Sequence, residues 1–113
     1  MFGTKKYKDI NPQQAFEMIQ KNKDNPDFIL LDVRNPHDYS EAHLDGSKLI
    51  NYQSPDFGQK ITELDKNKTY LIYCRSGVRS VAATKIMASM GFENLYNMVG
   101  GINGWASSGL PLK

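Results

Sequence analysis

The chain has 113 residues, of which 40% are hydrophobic and 23% charged, and its 14 basic and 12 acidic side chains leave a net charge of +2. That length suits one domain over residues 1–113, with a core at about 7–112, and leaves no room for a second domain of ordinary size. Acids and bases are mixed along the chain and no apolar run approaches bilayer length, so neither nucleic acid nor a membrane is the expected partner.

The amino-terminal residues 1–8 carry lysines but no apolar stretch, unlike a secretory signal, and the default expectation is a cytoplasmic monomer. Asn11-Pro12 opens the first helix, with Asn11 as cap, Pro12 in the first turn and Gln14 at the capping-box position. Ala15, Phe16 and Ile19 give that helix its apolar stripe, and Asn25-Pro26-Asp27 ends the unit. Residues 28–33 run apolar without alternation, as a strand covered on both faces does. A loop through Arg34, Asn35 and Pro36 leads into a short helix over 36–42. A short strand at 47–50 and a short helix at 61–64 follow.

Thr69-Tyr70-Leu71-Ile72-Tyr73 is a β-branched and aromatic strand that runs directly into Cys74. Beyond the next loop, Ala82, Ala83, Ile86, Met87 and Met90 keep helical spacing, with Gly91 as C-cap. Residues 94–99 form the last strand, Gly100-Gly101 breaks it, and a closing helix through Trp105 ends near Gly109. Strands alternating with helices specify an α/β fold with a mainly parallel central sheet flanked by helices.

The stretch Cys74-Arg75-Ser76-Gly77-Val78-Arg79-Ser80 lies between a buried strand and a helix, where ligands bind in parallel α/β sheets. A tight turn entering a helix directs backbone amides inward, and Gly77 supplies the conformational freedom such a turn needs. A lone cysteine is commonly a small buried hydrophobe. This one is followed at once by Arg75, which reads as a residue leaving the core. Of the three arginines in the chain, two flank Cys74 and the third is Arg34. Amides, a helix N-terminus and two guanidinium groups all favour a thiolate, and the same groups would hold an anionic sulfur donor.

This loop resembles the active-site loop of rhodanese-like domains, in which cysteine opens a six-residue loop closed by a basic residue. Leu31-Asp32-Val33-Arg34 with Pro36-His37-Asp38-Tyr39 resembles the family's early motif, and His43-Leu44-Asp45-Gly46 its histidine-containing turn. Gly100-Gly101-Ile102-Asn103-Gly104-Trp105 with Gly109-Leu110-Pro111 resembles the carboxyl-terminal signature. The resemblance implies the three-layer rhodanese-like fold and a sulfurtransferase without cofactor or metal. Cys74 would take sulfur from a small anionic donor such as thiosulfate, as a persulfide. It would then pass the sulfur to cyanide, a small thiol or a protein cysteine. Arg75, Ser76, Gly77, Val78 and Arg79 would bind the substrate. Ala42, Asp45 and Ser47-Lys48 depart from the family pattern beside the pocket and bear on donor preference.

Asp32, Arg34 and Asp38 are expected to support the site structurally, with Arg34 paired to Asp38 or Glu41, because a buried arginine needs a partner. His43 is assigned a hydrogen-bonding role, His37 an exposed one, and Trp105 the packing of the last helix. Two alternatives remain open at this level. One is a rhodanese-fold module that only binds a partner or senses redox state through Cys74. The other is a cysteine phosphatase or arsenate reductase. The phosphatase loop holds one more residue between cysteine and arginine, and usually has histidine where Tyr73 stands.

Overall fold

The structure is a computed structural model and describes residues 6–113. In chain order its elements are β1 (Lys8–Ile10), α1 (Pro12–Lys21), β2 (Phe28–Asp32), α2 (Pro36–Glu41) and β3 (Lys48–Leu49), then α3 (Phe57–Thr62), β4 (Thr69–Tyr73), α4 (Val78–Ser89), β5 (Asn94–Met98) and α5 (Gly101–Ser107). The strands form a sheet in the order β1-β5-β4-β2-β3, and every pairing is parallel.

Side-chain alternation along the strands divides the interior into two cores. Leu31, Tyr70, Ile72 and Leu95 face Phe57 and Ile61 of α3 and Ala83 and Met87 of α4. Leu30, Leu71, Tyr73 and Met98 face Ala15 of α1 and Ile102 and Trp105 of α5. The result is three layers, helix on sheet on helix. Central β4 contributes to both cores at successive positions, and Tyr70, Leu71, Ile72 and Tyr73 are all buried. Each such aliphatic side chain is worth about 2 kcal/mol in area removed from water.

Helix α1 starts where the sequence places it. The Asn11 side chain accepts from the Gln14 amide at 2.8 Å, and the Gln14 side chain accepts from the Asn11 amide at 2.9 Å. Trp105 is buried against Phe16, edge to ring at 5.9 Å, and donates its indole N–H to the Pro111 carbonyl at 2.7 Å. It therefore fixes α5 and the chain end beyond it.

Several boundaries differ from the sequence reading. Strand β1 is absent from that reading. Only Ile10 of its three residues is buried, so it presents no apolar run, and its pairing to β5 defines it. Helix α3 begins earlier than expected, because Phe57 and Ile61, one turn apart, are its buried pair. Helix α4 begins inside the predicted loop, at Val78, and is capped by Gly77 in the left-handed region rather than by a side chain. At its far end Met90 is the cap, and Gly91 takes the left-handed conformation one position later. Among the described residues, no helix is long and apolar enough to cross a membrane.

Candidate active site

Tyr73, the last residue of β4, hands the chain to Cys74 at the carboxyl edge of the sheet, beside β2. The chain then folds back on itself. Gly77 adopts φ +101°, and a Cβ there would lie 3.1 Å from the Gly100 amide nitrogen, so the loop and the β5–α5 turn approach closely. Gly101 has φ +58° and faces the loop backbone, where any Cβ would collide with the Cys74 and Arg75 carbonyls. That approach lets the first turn of α5 tie the loop down. The Ile102 amide donates to the Cys74 carbonyl at 2.8 Å, and the Asn103 amide to the Arg75 carbonyl at 3.0 Å. The two glycines that end β5 therefore serve as a seat for the loop.

Folding back encloses the thiol. Cys74 is only 1% exposed, so the expectation that it leaves the core is corrected: it stays in the same apolar cluster as Ile72 and Ala83, covered by its own loop. The Gly77 amide donates to Cys74 Sγ at 3.0 Å, and Sγ lies 3.4 Å from the Ser80 hydroxyl oxygen. Burial works against ionisation of this thiol, yet hydrogen bonds outweigh it. In decreasing order they come from the Ser80 hydroxyl and the amides of Ser80, Gly77 and Ser76, and they hold the Cys74 pKa below its ordinary value. Sγ thus meets the first turn of a 12-residue helix, where unpaired amides and the helix dipole favour negative charge.

The two loop arginines do not reach the sulfur in the way the sequence suggests. Arg75 extends outward, 62% exposed, and its Nη2 pairs with Asp38 Oδ1 of α2 at 2.6 Å. Arg79 is exposed on α4, as are Val78 beside it and Ser76 in the loop. Amides and a hydroxyl, rather than guanidinium groups, make the immediate surroundings of the thiol.

At the neighbouring strand exit, Arg34 pairs with Asp32 and not with Asp38 or Glu41. Arg34 Nε lies 3.0 and 3.1 Å from the two Asp32 carboxylate oxygens, and Nη2 lies 2.7 Å from Oδ2. Both residues are buried, and Nη2 also donates to the Ala42 carbonyl at 2.7 Å, fixing the end of α2. Burial acts to lower the Arg34 pKa, but the hydrogen bonds and charge of Asp32 leave it raised. The two residues stand two apart across the end of β2, and that closeness in sequence was the available signal for this pair. Asp38 is freed for Arg75, and so couples α2 to the loop.

The turn after α2 is held from below by Tyr73, whose hydroxyl accepts from the Leu44 amide at 3.1 Å and donates to Ser47 Oγ at 3.1 Å. His43 stacks on Tyr39 at 3.9 Å and places Nδ1 2.9 Å from the Tyr39 carbonyl, which is the hydrogen-bonding role expected of it. His37 is exposed, 3.6 Å from Glu41. Among the described residues, no group of three or more His, Cys, Asp or Glu side chains is arranged to hold a metal ion.

Comparison with known proteins gives consistent matches. The family description "Rhodanese-like domain" matches residues 12–108. Thiosulfate sulfurtransferase GlpE of Glaesserella parasuis serovar 5 is 32% identical over 107 residues, covering 95% of this chain and 94% of that protein. The probable adenylyltransferase/sulfurtransferase MoeZ of Mycobacterium tuberculosis is 34% identical over 102 residues, covering 90% of this chain but 25% of that longer protein. Among solved structures, a rhodanese-related protein from Thermoplasma volcanium superposes with a TM-score of 0.81 at 27% identity, covering 95% of this chain and 98% of that one.

Proposed function

The chain belongs to the rhodanese-like domain family of sulfurtransferases, and we propose that it carries sulfane sulfur on Cys74, from an anionic donor such as thiosulfate to a thiol or cyanide. The observation that supports this reading above the others is the setting of the only cysteine in the chain. Its Sγ is buried at a helix N-terminus, with the Gly77 amide donating to it at 3.0 Å and its pKa held down by hydrogen bonds. A cysteine present only for packing gains nothing from donors aimed at its sulfur.

In the first half-reaction the Cys74 thiolate attacks the outer sulfur of thiosulfate. A new S–S bond forms at Sγ as the donor's S–S bond breaks, and sulfite departs with the bonding pair. The outer sulfur of the persulfide then carries the negative charge, which loop amides such as that of Gly77, already donating to Sγ, would stabilise. In the second half-reaction cyanide or an acceptor thiolate attacks that outer sulfur, and the Cys74 thiolate leaves. Each step exchanges one sulfur bond for another, so no external oxidant or reductant is needed. The loop must retain an anion at every stage, which is why a cradle of fixed dipoles suits it.

Arg79, exposed in the first turn of α4, attracts the donor anion. Arg75 acts through Asp38 by keeping the loop in register. The assay that tests this reading is thiocyanate formation from thiosulfate and cyanide. Parallel double-reciprocal lines for the unaltered protein, and none of this activity in Cys74→Ser, are expected. Residual turnover in Cys74→Ser equal to that of the unaltered protein would remove Cys74 from the chemistry.

A further inference from the structure

Ser80 brings a side-chain hydroxyl to the sulfur. Ser80, the third residue of α4, is fully buried. Its Oγ lies 3.4 Å from Cys74 Sγ and 3.2 Å from the Gly77 carbonyl oxygen. A hydroxyl has a single proton to donate. With the thiol protonated, S–H donates to Ser80 Oγ, while the Ser80 O–H donates to Gly77 O. With the thiolate formed, Sγ can only accept, and a lone pair of Oγ aimed at it would be repulsive. Rotation of the O–H alone, with no heavy atom moved, turns that donor from the Gly77 carbonyl to the sulfur. The carbonyl it leaves still accepts from the Val81 amide at 3.4 Å.

We propose that Ser80 is a catalytic residue whose hydroxyl swings between the Gly77 carbonyl and Cys74 Sγ, donating to the sulfur whenever it is a thiolate. The inference rests on the sulfur-transfer reading of Cys74 and adds a residue and a step to it. The swing occurs twice per cycle. It stabilises the thiolate that attacks the donor, and it receives the thiolate that leaves when the persulfide gives up its outer sulfur. Between these events the charge sits on the outer sulfur, and the hydroxyl returns to Gly77.

The surroundings assign this task to Ser80 alone among the side chains around the loop. On β4 the Tyr73 hydroxyl is committed to Leu44 and Ser47. Beyond β2, Asp32 and Arg34 hold each other, and on α2 Asp38 holds Arg75. Arg79 on α4 points to solvent, and the first turn of α5 brings Gly101, Ile102 and Asn103, none of them charged. The Thr84 hydroxyl, one turn below, donates to the Ser80 carbonyl and leaves Oγ free to rotate.

The test is a thiolate titration followed by ultraviolet absorbance, with the Cys74→Ser protein as the baseline and Ser80→Ala and Ser80→Thr compared with the unaltered chain. Ser80→Ala should raise the titration midpoint by about one pH unit, which is about tenfold less thiolate at any pH below both midpoints. Ser80→Thr, which keeps the hydroxyl, should restore it. Should Ser80→Ala fail to fold, the isosteric pair Ser80→Thr and Ser80→Val carries the same comparison. A midpoint unmoved by loss of the hydroxyl overturns the proposal, even in a protein that transfers sulfur normally. Conversely, a chain that loads no sulfur from thiosulfate yet titrates with this dependence on Ser80 contradicts the sulfur-transfer reading and leaves the hydroxyl swing standing.

Discussion

Strands β2 and β4 lie side by side in register, with Asp32 opposite Tyr73, and both leave the sheet at the same edge. Their exits handle charge in opposite ways. At the end of β2 a carboxylate and a guanidinium neutralise each other inside the protein, closing the site to anything else. At the end of β4 the Cys74 thiol is met by amides and a hydroxyl, while Arg75 turns away to Asp38. Fixed dipoles favour a negative charge without cancelling it, as the proposed nucleophilic role of the sulfur requires. An ion pair at the same place would have made a structural joint. On the proposed function, the reactivity of Cys74 follows from withholding a counter-charge.

The largest expected effect lies at the inert exit. Arg34→Met leaves Asp32 buried without its partner and should cost about 3–5 kcal/mol of stability, read from denaturant midpoints. Thiol ionisation in whatever folded fraction remains should be unchanged, and a large shift there would break the contrast between the exits. Next comes the seat of the reactive loop. Gly101→Ala forces a Cβ into the Cys74 and Arg75 carbonyls at a left-handed position, and should cost about 3 kcal/mol with loss of sulfur transfer. A melting curve matching that of the unaltered protein would mean that α5 does not clamp the loop.

A smaller change is expected from Asp38→Asn, since Arg75 is largely solvated. Its stability cost should be about 1 kcal/mol or less, with kcat falling more than KM rises as the loop loosens. Arg79→Ala should act on KM for thiosulfate alone, by roughly threefold, an exposed charge being worth under about 1 kcal/mol. If Arg79→Ala lowers kcat instead, its cation acts on the reacting sulfur and the dipole-only description of the cradle fails.

The pH dependence has a definite sign. With the folded pKa of Cys74 below its ordinary value, the thiolate persists at pH values where a free thiol is protonated. The first half-reaction should therefore hold its rate as pH falls, until pH passes the lowered pKa, and then decline. By linkage the lowered pKa contributes stability above the unfolded-state pKa, and this is lost as pH falls through the folded-state value. Single-turnover sulfite release across pH reads the first effect directly.

Much of this was legible in the sequence, for reasons that differ by region. The apolar run at 28–31 and the β4 run fix two central strands because burial on both faces leaves an uninterrupted pattern. The cap pair Asn11 and Gln14 is local chemistry and needs no tertiary information. Strand β1 was illegible because Lys8 and Asp9 are exposed and its identity depends on β5. The reach of Arg75 to Asp38 was likewise illegible, since it joins residues far apart in the chain. Burial of Cys74 was misread because the loop's return over the sulfur depends on Gly77, Gly100 and Gly101 meeting in space. Ser80 stood in the loop motif as a residue without a role, and only the 3.4 Å contact gives it one.

The central claim is that Cys74 carries sulfur, and intact mass tests it most directly. The purified protein is incubated with thiosulfate and weighed under non-reducing conditions beside Cys74→Ser. The account predicts a gain of one sulfur atom in the unaltered chain and none in the variant, reversed by cyanide with thiocyanate formed. No gain from thiosulfate or from a polysulfide would contradict it, and would leave this fold with a buried, activated thiol serving some purpose other than sulfur transfer.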